Sequence, residues 1–111
     1  MKTTLGATLV AVALAGPAYA QQAAAPKGDA ERAKSKISMC IGCHSIEGYR
    51  TAYPEVYHVP RIGGQNPGYL VKALEAYKSG ERNHPSMRGI AASLTPQDMA
   101  DLAAYYGGQA K

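Results

Sequence analysis

From residue 28 onward the apolar positions recur at helical intervals, and no stretch alternates in the manner of a strand. Ala30, Ala33, Ile37 and Cys40 share one face of a helix opened by Gly28-Asp29, with Asp29 as its cap. Leu70, Ala73, Leu74 and Tyr77 mark a second helix, which Asn66 caps, Pro67 begins and Gly80 stops. Met99, Leu102 and Tyr106 mark a third, opened by Thr95-Pro96-Gln97-Asp98 and ended by Gly107-Gly108. Residues 45–65 contain Pro54, Pro60 and three Gly, so they are expected to be mostly loop; residues 81–94 are expected to be a second loop with at most one helical turn. The pattern predicts an all-α domain of three main helices with long irregular connections.

The first twenty residues follow a different pattern. Lys2 precedes an apolar run from Leu5 to Leu14 and the small-residue sequence Ala18-Tyr19-Ala20. This predicts a secretory signal peptide over 1–20, a flexible leader over 21–27 and one domain over 28–108. The apolar run is too short for a permanent membrane span, and no later stretch approaches the roughly 20 residues a span needs. Export points to the periplasm.

Composition then poses a question. The 111 residues include eight Tyr but no Phe and no Trp. Residues 21–111 hold only five Ile, four Leu and three Val, a thin supply for a hydrophobic core. A formal net charge of +4 is too modest for typical disorder, and with no basic run it does not indicate nucleic-acid binding. A small domain of this kind needs a further source of stability. A disulfide between Cys40 and Cys43 would close too small a loop to supply it.

Cys40-Ile41-Gly42-Cys43-His44 supplies a better answer, because this is the attachment signature of c-type haem. Two thiols three residues apart on one helical turn can form thioethers with the two vinyl groups of a single porphyrin. His44 then lies under the iron as proximal ligand. A structural zinc site would need a second pair of close ligands, which His58 and His84 do not form. A thioredoxin-like site would need a βαβ context. For the sixth ligand, Met39 is tied to the proximal side and Met99 lies on a core stripe. Met87, in the irregular segment His84-Pro85-Ser86-Met87, can wrap to the distal face and is favoured over His84 and His58.

At this point the chain resembles the class I c-type cytochromes, especially c553-type proteins and single modules of tandem dihaem bacterial cytochromes. The likeness rests on Gly28-Asp29-Ala30, the attachment motif, Pro60, Gly64-Gln65, Tyr69-Leu70, Leu74, Gly80-x-Arg82, His84-Pro85-x-Met87 and the ending Leu94 through Leu102-Ala103-Ala104-Tyr105. It implies a small cytochrome c fold wrapped around one covalently bound haem c and its iron. It also implies a proximal His44, a distal Met87 and a Pro60 carbonyl that orients the His44 ring. Two departures stand out. Ala33 replaces a Gly frequent in the family where the first and last helices cross, and the loop 45–59 is long and Tyr-rich. In that loop Tyr49, Tyr53 and Tyr57 recur every four residues. Haem-edge packing is their expected role, with hydrogen bonding to a haem propionate, together with Arg50 or Arg61, as the alternative.

A haem iron with both axial positions filled is left with one-electron transfer. The expected function is a periplasmic electron carrier meeting redox partner proteins through small, transient interfaces. Lys34, Lys36, Lys72, Lys78, Arg82 and Arg88 are candidates to tune those encounters. An accessory subunit or a sensor with a labile sixth ligand is the alternative.

Overall fold

The computed structural model describes residues 24–110, so the signal peptide expected over 1–20 and the start of the leader lie outside the described residues. Residues 24–27 have no regular structure, but the Lys27 carbonyl accepts a 2.8 Å hydrogen bond from Gln97.

The first helical run is interrupted rather than continuous. Helix α1 (Ala30–Ala33) is capped by the Asp29 side chain, which accepts from the backbone of Glu31 and Arg32. A tightened turn follows, and α2 (Ser38–His44) resumes the run. The break has a local cause: the Ser35 hydroxyl bonds the Arg32 carbonyl at 2.9 Å and competes with the helical ladder. Helix α3 (Pro67–Ser79) has the expected punctuation, with Asn66 accepting from the Tyr69 amide and Gly80 ending the helix at φ 86°. Helix α5 (Pro96–Gly107) begins with a reciprocal capping box between Thr95 and Asp98.

Two expectations are corrected. Residues 85–92 form a complete helix, α4 (Pro85–Ala92), where a loop with one turn was expected. Pro85 takes its first position, while the uncapped start and the internal Gly89 hide it from a pattern search. The connection 45–59 also contains a short antiparallel hairpin, β1 (Arg50–Thr51) with β2 (Tyr57–His58), pairing Arg50 with His58 and Thr51 with Tyr57. The Thr51 hydroxyl bonds the Glu55 carbonyl at 2.9 Å and closes the tip.

Helix α5 is the shared partner of the architecture, packing on both α1 and α3, while α4 packs on α3. The buried cluster joins Ala33, Leu70, Leu94, Met99, Leu102, Ala103 and Tyr106. Ala33 lies fully inside it, so the alanine at the helix crossing is accommodated. A polar knot ties the two ends of the fold. Asp101 of α5 is buried and accepts from Arg32 Nε and Nη2, both at 2.9 Å, from the Asp29 amide at 2.7 Å and from Gln97 at 2.8 Å. No helix of the described residues is long and apolar enough to cross a membrane.

Candidate haem site

Between α2, the hairpin, α3 and α4 lies a cleft of about 650 Å³, within the usual size of cofactor sites. Leu70, Leu74, Ile90, Leu94, Leu102 and Ala103 make its apolar wall. Cys40, Cys43 and His44 enter it from a single turn of α2, where positions three and four apart share a face. Met87 enters from the first turn of α4.

His44 is oriented by the loop that follows it. Its Nδ1 lies 2.6 Å from the Pro60 carbonyl oxygen, which assigns the ring proton to that nitrogen and leaves Nε2 as a lone-pair donor. Cys40 and Cys43 are free thiols. Burial pushes the Cys40 thiol up, partly offset by the neighbouring Tyr106 hydroxyl, so it is a neutral thiol at physiological pH. Tyr106 is itself pushed far above the ordinary phenol range, by burial first and by Cys40 second. Its hydroxyl is buried with no partner of good hydrogen-bond geometry among the described residues.

The other expected site residues divide. Arg61 lines the cleft, but its side chain is 63% exposed and only 3.9 Å from Glu47. Tyr49 and Tyr53 are not brought to the cleft, and Tyr53 is 88% exposed at the hairpin tip. Tyr57, the third of the recurring tyrosines, does reach the cleft, together with Thr51 opposite it, because the hairpin alternates its side chains between two faces. Arg50 and His58 also lie off the cleft wall. His84 reaches that wall and packs edge-on against Tyr57, ring centroids 4.9 Å apart, with both ring nitrogens buried and unpartnered among the described residues. Of the six basic residues considered for partner encounters, Arg82 alone borders the cleft. Lys34, Lys36 and Lys72 are paired with Glu31, Asp98 and Glu75, and Lys78 bonds the Leu94 carbonyl.

Tyr69, Tyr77 and Tyr106 are cleft residues that sequence reasoning did not single out as such. Tyr77 and Tyr106 lie on the apolar stripes of α3 and α5, a signal that marks burial without saying against what. The donor set fits a covalently attached haem: two thiols, an oriented imidazole, a thioether and an apolar wall around one slot.

Comparison with known proteins agrees. The family profile described as cytochrome c matches residues 30–106. A cytochrome c4 of Pseudomonas aeruginosa is 33% identical over 109 residues, covering 98% of this chain and 49% of the relative. The cytochrome c-554(548) of Halomonas halodenitrificans is 38% identical over 85 residues, 74% of this chain and 98% of the relative. The solved cytochrome c4 of Acidithiobacillus ferrooxidans superposes with a TM-score of 0.58 at 27% identity, covering 78% of this chain and 53% of that one. The chain thus spans about half the length of its cytochrome c4 relatives and nearly the whole of the c-554(548) protein. With the all-α fold and the attachment turn facing one cleft, the chain belongs to the cytochrome c family, and covalently bound haem c with its iron comes with that membership.

Proposed function

We propose that this protein is a periplasmic electron carrier whose haem c is held by Cys40 and Cys43 and ligated by His44 and Met87. The observation that carries the reading is the 2.6 Å contact between His44 Nδ1 and the Pro60 carbonyl, on the same turn as two cleft-facing thiols. A haem held there by Cys40 and Cys43 would supply a one-electron couple, and with His44 and Met87 both engaged as iron ligands no position would be left for substrate. The chain's own groups do the rest. Pro60 fixes the imidazole tautomer, α4 delivers the Met87 thioether, and the apolar wall excludes water and so disfavours the more highly charged oxidised state.

Lys2, the apolar run Leu5–Leu14 and Ala18-Tyr19-Ala20 support export. Redox partner proteins are the expected donors and acceptors, meeting the protein transiently. The Acidithiobacillus relative has been described in terms of complex-induced tuning of electron transfer, which is consistent with that mode of action.

The test is spectroscopic. The ferric protein is expected to be low-spin and to show a methionine-sulfur charge-transfer band, which Met87→Ala abolishes. A high-spin protein at neutral pH that binds carbon monoxide readily, or a Met87→Ala spectrum identical to wild type, refutes the reading.

A further inference from the structure

One wall of the cleft carries a cation, Arg82, that forms no ion pair among the described residues. Arg82 follows the left-handed stop at Gly80, and its amide donates to the Ala76 carbonyl at 3.0 Å, which fixes its backbone against the end of α3. Its guanidinium Nη2 donates to the Tyr69 hydroxyl at 2.9 Å. Its Cζ lies 5.5 Å from the Tyr69 ring centroid and 5.6 Å from that of Tyr77. Two aromatic faces and one hydrogen bond therefore set the orientation of the guanidinium. All three side chains line the cleft. No carboxylate of the described residues stands within ion-pair distance of Arg82, although Glu75 and Glu81 border the groove on its other side.

A guanidinium so held, with most of its five donors uncommitted, suits a planar carboxylate. Haem carries two carboxylates, its propionates, and they are its only anionic side groups. The competing cation, Arg61, is largely solvent-exposed and already leans towards Glu47. We propose that Arg82, oriented by Tyr69 and Tyr77, binds a haem propionate. The proposal rests on haem occupying the cleft between His44 and Met87. Pairing the propionate offsets a negative charge near the iron, so Arg82 favours the reduced state and raises the midpoint potential.

The test uses the holoprotein and its Arg82→Gln, Arg82→Lys and Arg61→Gln variants, read by redox titration and by the propionate bending band in resonance Raman spectra. Arg82→Gln is expected to lower the midpoint potential and shift the propionate band. Arg82→Lys keeps the charge but loses the fork, so it shifts the band with a smaller fall in potential; it also carries the test if Arg82→Gln fails to retain haem. Arg61→Gln is expected to leave the band in place. An unmoved band in both Arg82 variants, or a band moved by Arg61→Gln instead, overturns the proposal. Failure of the axial-ligand reading is distinguishable, because the wild-type protein would then lack the methionine-sulfur band. Loss of the carboxylate contact leaves that band intact.

Discussion

Asp101 is the buried charged residue of the described core, and its surroundings make it a pH-dependent fastener. Bonds from the Arg32 guanidinium, opposed by burial and reinforced by Gln97 and the Asp29 amide, pull its carboxyl down to about 2. A folded-state value below the ordinary carboxylate range of about 4 stabilises the fold above that range. The contribution is fully present near neutrality and is lost as pH falls from about 4 to about 2. Asp101→Asn is expected to cost about 2 kcal/mol at pH 7, measured by denaturant unfolding, with the difference from wild type shrinking towards pH 2. Sequence pattern did not reveal this residue, because its partner Arg32 is 69 residues away. The attachment turn was legible for the opposite reason: Cys40, Cys43 and His44 are neighbours in the chain, and helix geometry alone brings them together. Arg82 is intermediate, since a motif position marked it, yet its role depends on tyrosines five and thirteen residues before it.

At the level of elements, chain-local chemistry was readable and chain-distant packing was not. Asp29, Asn66, Gly80 and the Thr95–Asp98 box all act where the sequence placed them. Helix α4 has Pro85 at its first position but no side-chain cap, and it packs on α3, a chain-distant contact the pattern does not carry. A close approach of chain-distant backbones is likewise invisible in one dimension. A Cβ on Gly28 would strike the Ala100 carbonyl and lie 2.9 Å from the Ala104 Cβ, so the entry to α1 rests directly on α5. Gly28→Ala is therefore expected to destabilise the holoprotein by about 1–3 kcal/mol. Gly89 within α4 has open space where a Cβ would go. Gly89→Ala should stabilise by about 0.5–1 kcal/mol, and paired thermal melts of the two variants check both signs.

The scarcity of large aliphatic side chains becomes intelligible for the molecule as a whole. Among the described residues, four of the nine buried hydrophobics are alanines, and the large side chains buried with them are few, Leu94 the most completely. The helices surround a slot of about 650 Å³ instead of meeting in a dense centre. The haem is thus expected to act as the missing core. The Cys40→Ser/Cys43→Ser double variant, purified free of haem, should show little helical circular dichroism and no cooperative melt; a compact, cooperatively melting apoprotein would contradict this. The bond from His44 to Pro60 has a consequence of another kind. It closes the intervening span at its base, so the ring carrying the hairpin is completed beneath it. Within that span Tyr53 is exposed and off the cleft wall, although Glu55, two residues on, reaches it. Doubling such a loop costs only about 0.6 kcal/mol in closure entropy. Tyr53 is thus a splice point, where an electrode-binding peptide or a fluorescent tag can be grafted beside Pro54 at a distance in the chain from Cys40, Cys43 and His44.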